Sequence, residues 1–411
     1  MSSENIKRTL RCALGAASAL GVATLAAGTL QAQVPADIEA GLRKIGQIVD
    51  PACTAKLYRP LMPAKDYNTY WPRGADKPVD TSQLYPGVTI MRDQSFGQNT
   101  KDVVDIFYAD KGGENRTILM YVPGGGGNKI EQQATEANAF YDNIGRWATK
   151  NGMVGVTVQR HPGMNWDDGG RNIALAVDWV KANATKFHGN PNRIFIWAQS
   201  AGNGPTGQYV GHPERWPNGV QVKGAVFMSG NPVPGVGGAG RGAAPAGAPP
   251  AGAPPAGAPA GAGRGPAAPS VCGAAGPGGA DGYVSGPSGM TPPDPNAAGR
   301  GAGGGGRGGQ QLTPAEIAER DNLPGFKKST TKILLARAEL DPGVMGKMAD
   351  SDIALHDELC ALDGPSHKDG VGHCPRMLYM VGESHMSAVF SIDTPDKTVS
   401  GPVLDFIKSV K

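Results

Sequence analysis

The sequence predicts an α/β protein whose central sheet is mostly parallel and covered by helices on both faces. Three observations carry this. Apolar runs of strand length recur along the chain, segments with helical periodicity separate them, and residues with chemical potential stand directly after the runs.

The elements follow in order. Val103 to Tyr108 and Thr117 to Val122 read as strands, the second buried and ending in glycines. Gln132 to Lys150 reads as a helix and Met153 to Val158 as the next strand. Ile173, Val177, Val180, Ala184 and Phe187 recur at helical spacing, which predicts an amphipathic helix. Asn190-Pro191 is expected to break the chain after it. Ile194 to Trp197, Ala225 to Met228, Ile333 to Ala336 and Met377 to Val381 complete the strands, with a helix from Gly204 to Val210. In open parallel sheets, sites form beyond the carboxyl ends of the strands.

Composition and charge narrow the function. The 411 residues include 62 Gly and 35 Pro, and most of that excess lies in one stretch, so the remainder has enough apolar sequence for a sizeable core. The net charge of +3 comes from nearly balanced acids and bases. No basic block is interleaved with aromatics, so nucleic acid is not a predicted partner.

Residues 1–32 read as an export signal. Lys7, Arg8 and Arg11 precede an apolar run from Ala13 to Leu30, with a cleavage site after Leu30-Gln31-Ala32. A membrane anchor is the alternative, but the run is too short and too rich in Ala and Gly for a good spanning helix, and no other stretch could span. The expected location is therefore secreted or periplasmic. Residues 33–100 form an N-terminal region and candidate cap containing Tyr67, Tyr70 and Trp71. Residues 101–232 and 312–411 form the two parts of the α/β domain.

Between those parts, residues 233–311 are almost entirely Gly, Ala and Pro, with an Ala-Gly-Ala-Pro-Pro repeat through 246–260. Glycine does not recur at every third position, which excludes collagen. With few large apolar side chains the insertion is expected to be disordered or loosely polyproline-like. It reads either as a tether or surface-contacting arm, or as a tolerated loop expansion.

With Cys12 in the signal, Cys53, Cys272, Cys360 and Cys374 remain. Cys360 and Cys374 bracket a polar loop between a predicted helix and strand, so a disulfide between them is expected in an oxidising compartment; two free thiols are the alternative. The pairing of Cys53 and Cys272 is not legible. No Cys/His spacing matches a metal site.

The chemistry begins at Ala198-Gln199-Ser200-Ala201-Gly202, a small-x-Ser-x-Gly pentapeptide between a strand and a helix. A tight strand-to-helix turn needs small residues two before and two after its serine. It exposes the serine oxygen and leaves the Ala201 N–H at a helix start. A helix-capping serine is the bland reading. Upstream, Pro123-Gly124-Gly125-Gly126-Gly127 follows a buried strand, and such a run can point N–H groups at a tetrahedral oxyanion. A phosphate loop would need Lys-Ser/Thr opening the helix, whereas Asn128-Lys129-Ile130 follows here. Asp341 follows one late strand and His385 another, giving the order Ser, acid, His. Glu339 is the second candidate acid, and a helix cap is the bland reading of either carboxylate.

These residues resemble the α/β-hydrolase esterases of the hormone-sensitive-lipase and carboxylesterase type. Asp178 to Asn183, Gly189 to Ile194 and Gly382-Glu383-Ser384-His385-Met386 are similar to that family's approach to its nucleophile and to its ending. The resemblance runs from about Val103 to the C-terminus, apart from the insertion. It implies an α/β-hydrolase fold, a Ser200–His385–Asp341 triad, and an oxyanion hole of the Gly125, Gly126 and Ala201 N–H groups. Two departures stand out. Pro123 replaces the histidine that usually opens the glycine motif, removing any hydrogen bond it makes to the loop, and Ala198 replaces the first glycine of the elbow.

The expected reaction is hydrolysis of short-acyl or aromatic esters, with no metal or organic cofactor required. Asn128, His161, Met164 and Trp166 are candidate pocket residues, each equally readable as packing or surface. A serine peptidase using Asp167 and Asp168, a polyester depolymerase contacting polymer through the insertion, and a non-catalytic binding module are the alternatives.

Overall fold

In the computed structural model, which describes residues 33–62, 85–130, 140–161, 166–233, 313–344 and 346–411, the apolar runs assemble into one eight-stranded sheet. Its strands are β1 (Val88–Ser95), β2 (Val103–Ala109), β3 (Arg116–Val122), β4 (Val154–Val158), β5 (Gly189–Gln199), β6 (Gly224–Met228), β7 (Lys332–Leu340) and β8 (Arg376–Ser384), in the order β1-β2-β4-β3-β5-β6-β7-β8. β2 pairs antiparallel with β1 and β4, and every other pairing is parallel. This is the α/β-hydrolase fold.

Parallel neighbours require crossovers, and helices supply them. The described helices are α1 (Ala36–Ile45), α2 (Pro51–Tyr58), α3 (Asp142–Lys150), α4 (Trp166–Asn183), α5 (Asn203–Gly211), α6 (Pro314–Glu319), α7 (Leu323–Lys328), α8 (Asp350–Cys360), α9 (Ser387–Phe390) and α10 (Ser400–Ser409). Alternate strand residues feed two cores. Leu119, Tyr121, Phe195 and Trp197 pack with α1, α2, α3, α9 and α10, while Ile118, Met120, Ile194 and Ile196 pack with α4, α5, α7 and α8. Burial on both faces is why the strands read as continuous apolar runs rather than alternating ones. Among the described residues, no helix is long and apolar enough to cross a membrane.

The predicted strands are all present, and three details differ. β1 was not anticipated; its Arg92, Asp93, Gln94 and Ser95 hide the apolar pattern, yet it extends the sheet upstream of residue 101. Asn190-Pro191 does not break the chain. Both lie within β5, where the pairing with β3 shifts register between Arg116 and Ile118, and such a bulge tolerates a proline. β7 runs on to Leu340, so Glu339 lies within the strand rather than after it. Of the predicted Gln132–Lys150 helix, Asp142–Lys150 is described and helical. The export signal, most of the insertion, Tyr67, Tyr70, Trp71 and Met164 lie outside the described residues.

α1 and α2 lie against the end of the sheet that carries the late strands. Asp50 caps α2 by accepting from the Cys53 N–H at 2.8 Å, with Pro51 in the first turn. Arg43 of α1 pairs with Glu339, and Tyr58 donates to Asp396 at 3.0 Å. Cys360 and Cys374 are joined by a disulfide, as expected from the sequence, and Cys53 is also disulfide-bonded.

Candidate active site

Ser200 sits at the turn from β5 into α5 with φ of +53°, a left-handed backbone that an L-residue adopts only at a cost of about 1–2 kcal/mol. Surrounding contacts hold it there. Asn203 donates from Nδ2 to the Ser200 carbonyl at 2.8 Å and to the Met228 carbonyl at 2.9 Å, tying the turn to the end of β6. Gly202 has no room for a side chain, since a Cβ there would lie 2.5 Å from the Val122 carbonyl oxygen. The small residue required two positions after the serine thus follows from the closeness of the glycine loop.

That loop follows β3 and lies directly against the serine. A Cβ on Gly124 would fall 2.6 Å from the Ser200 Cβ, so only glycine permits the approach. Gly125 and Gly127 have φ of +48° and +76°. The loop's carbonyls are held from another strand. Arg160, just after β4, donates from Nε to the Pro123 carbonyl at 3.0 Å, and from Nη2 to the Gly124 carbonyl at 3.2 Å and the Gly125 carbonyl at 2.7 Å. In a trans peptide the C=O of one residue and the N–H of the next point in opposite directions. Fixing the carbonyls of Gly124 and Gly125 therefore fixes the N–H groups of Gly125 and Gly126, the two predicted donors. Burial lowers the Arg160 pKa to about 10, so it remains a cation at neutral pH.

Neighbouring residues brace the same loop. Gln159 accepts from the Lys129 N–H at 3.1 Å and donates to Asn128 Oδ1 at 3.2 Å. Lys129 reaches back to the buried Asp105, with Nζ 2.7 and 2.8 Å from its two oxygens. Burial would raise the Asp105 pKa, but Arg92 and Lys129 together hold it below the ordinary carboxylate value.

The acid and base come together after β7 and β8. His385 Nδ1 lies 2.8 Å from Asp341 Oδ1, and both residues are buried. The Ala338 N–H donates to Asp341 Oδ2 at 3.2 Å. Burial would raise the Asp341 pKa, yet the bond to His385, the charge of His385 and that of Arg337 leave it below its usual value. His385 Nε2 is buried without a hydrogen bond among the described residues, so it is free to accept a proton. Gln199, next to Ser200, donates to the His385 carbonyl at 3.3 Å, which links the elbow to the histidine loop. Glu339 is engaged elsewhere: it accepts from the Gly382 N–H at 2.7 Å and pairs with Arg43, and these contacts hold its pKa below the ordinary value despite partial burial.

The candidate pocket residues fare differently. Asn128 accepts from Gln159 at 3.2 Å, and His161 Nε2 lies 3.0 Å from Asp102 Oδ1 with its side chain largely buried. Trp166 opens α4. Gln159, Arg160, Lys129 and Asn203 were missed by sequence reasoning. The only available signal was the position of Gln159-Arg160 immediately beyond a strand.

The model of the carboxylesterase family matches residues 166–236, which span α4, β5, the elbow and β6. Over 57 residues the chain is 39% identical to secreted lipase 5 of Gibberella zeae, a match covering 14% of this chain and 10% of that protein. Similar solved structures include a truncated carbohydrate esterase from gut microbiota, at 14% identity and a TM-score of 0.45 over 78% of this chain and 95% of that one. Another is carboxyl esterase 2 from the mycorrhizal fungus Tuber melanosporum, at 12% identity and a TM-score of 0.44 over 79% and 89% of the two chains.

Proposed function

We propose that this α/β-hydrolase of carboxylesterase type hydrolyses carboxylic esters through Ser200, His385 and Asp341. The observation that supports the reading is the buried His385–Asp341 pair, in a loop that Gln199 of the strained serine elbow reaches through the His385 carbonyl. His385 Nε2 takes the Ser200 hydroxyl proton as Oγ attacks the ester carbonyl. The N–H groups of Gly125, Gly126 and Ala201 receive the oxyanion, each such donor being worth roughly 3–4 kcal/mol in the transition state. His385 then protonates the departing alcohol. A water molecule repeats the sequence on the acyl-enzyme, returning the acid and free serine. Asp341, ionised and hydrogen-bonded to Nδ1, stabilises the imidazolium in both steps.

The substrates are soluble short-acyl or aromatic esters, and the chain acts after export. The polar, glycine-rich sequence at the usual lid position supports the first, because interfacial lipases need an apolar lid. The signal-like N-terminus and the similarity to a lipase described as secreted support the second. The test is reaction of the purified mature chain with a fluorophosphonate, followed by peptide mapping and p-nitrophenyl acetate turnover. Labelling at Ser200 with turnover is expected. A folded protein that neither labels nor turns over refutes the triad.

A further inference from the structure

Outside the candidate active site, four potential metal-ligating groups converge where α8 meets the loop before β8. His356 and Cys360 are four residues apart on α8 and so share one face of the helix. The loop brings Cys374 and Asp369 to that face. His356 Nε2 lies 3.1 Å from Asp369 Oδ1 and 3.8 Å from Cys374 Sγ, and Cys374 Sγ lies 3.9 Å from Asp369 Oδ1. The His356, Cys360 and Cys374 ligand atoms all lie within 4.8 Å of one another. From ordinary zinc–ligand lengths, the edges of a tetrahedral site are about 3.3 Å for N–O and about 3.5 Å for N–S and S–O. The three measured separations match these edges within about half an ångström.

A second observation concerns the imidazole. Its Nδ1 lies 3.1 Å from Asp357 Oδ1 while Nε2 faces Asp369, and the ring is largely buried, with 12% of the side chain exposed. Both ring nitrogens thus face a carboxylate oxygen. A cation would sit between Nε2, Asp369 Oδ1 and the two sulfurs, the atoms that the measured separations gather. Asp357 on Nδ1 would then occupy the outer carboxylate position that orients metal-bound histidines.

We infer that His356, Cys360, Cys374 and Asp369 form a redox-gated site for a thiophilic divalent cation. In the oxidised chain the Cys360–Cys374 bond occupies both sulfurs. A dithiol reductant delivers two electrons and two protons to that bond and is itself converted to a disulfide. The two thiols then release their protons as the cation binds. Disulfide and metal exclude one another, so oxidation expels the ion and the ion protects the reduced state. The sequence spacing gives no zinc signature, because the ligands are gathered by a helix turn and a loop rather than by paired short-spaced motifs.

The test uses the full mature chain, reduced with a phosphine under anaerobic conditions and titrated with Co²⁺ alone. One equivalent should bind with a thiolate-to-cobalt charge-transfer band and tetrahedral d–d bands, while the oxidised chain should show neither. His356→Gln and Asp369→Asn should each weaken binding at least tenfold, and Cys53→Ser should leave it unchanged. In the unmutated reduced chain, Zn²⁺ should protect Cys360 and Cys374 from iodoacetamide, as read by peptide mass mapping, so the outcome does not depend on any variant folding. Absence of the charge-transfer band, binding indifferent to His356→Gln, or equal alkylation with and without Zn²⁺ would overturn the inference. None of these readouts depends on the esterase reaction.

Discussion

Replacing Arg160 with methionine should cripple turnover while leaving substrate binding nearly intact. The side chain makes three hydrogen bonds to consecutive carbonyls of the glycine loop, at 3.0, 3.2 and 2.7 Å. Methionine preserves much of the volume and removes every donor. The Gly125 carbonyl then loses its Arg160 partner and the Gly126 N–H can rotate with it, while the Gly124 carbonyl keeps the Gly127 N–H at 2.9 Å. One well-placed oxyanion donor is worth about 10²–10³ in kcat. Misaiming the Gly126 donor should thus lower kcat by at least about 10², with KM within a few fold, because the donor acts on charge that develops only in the transition state. Arg160→Lys should fall between the two, since an ammonium supplies charge without the planar fork. The assay is p-nitrophenyl acetate kinetics normalised to fluorophosphonate-titrated sites, with a melting temperature measured in parallel. A folded Arg160→Met variant whose kcat stays within threefold of wild type would refute the reasoning. A rise in KM at constant kcat would do so too.

The remaining predictions are shorter. Asp341→Asn should lower kcat by about 10⁴ through loss of the imidazolium's partner, whereas Glu339→Gln should change it by no more than a few fold; the opposite pattern in steady-state kinetics would move the acid to Glu339. Lys129→Met should cost stability of about 3 kcal/mol or more in urea unfolding, because the buried Asp105 loses one of its two cationic partners. Glu383 is buried beside Asp396, and burial first, then that neighbouring charge, raises its pKa well above normal. The folded chain therefore holds the Glu383 proton to a higher pH than the unfolded chain, which ionises from about pH 4 upward. Stability from this group is fully present below that pH and falls as pH rises. Glu383→Gln should accordingly raise the melting temperature at pH 8 relative to wild type, with the gain fading towards pH 4.

Legibility followed the physics of each element. Strands buried on both faces announce themselves as apolar runs, so β2 through β8 were readable and their carboxyl ends located Ser200, Asp341 and His385. β1 was not readable, because its charged Arg92 is neutralised by Asp105 and Asp142, partners from other parts of the chain. Glu339 and Asp341 could be ranked only weakly from sequence. What separates them is Arg43 and the Gly382 N–H, contacts from remote segments that take Glu339 away from the histidine. Arg160 was invisible for the same reason: nothing local marks a cation whose partners are backbone carbonyls 35 to 37 residues away.

The glycine loop brings these threads to one point. A run of glycines approaches the serine closely because it lacks side chains, and for the same reason it cannot pack itself into a fixed shape. Preorganised donors are effective only if they are already aimed before charge develops. Beyond the one bond the loop makes to itself, from the Gly127 N–H to the Gly124 carbonyl, the rigidity must therefore be imported. Lys129 secures the loop's exit to Asp105, a buried carboxylate that Arg92 also neutralises, and Gln159 holds Asn128 and the Lys129 N–H. Those contacts fix where the loop ends but not how its peptide planes turn. Among the described contacts Arg160 grips those planes with three bonds, and the Gly127 N–H adds one to the Gly124 carbonyl at 2.9 Å. The rate should depend on Arg160 and the folding stability on Lys129, although the two residues brace the same loop.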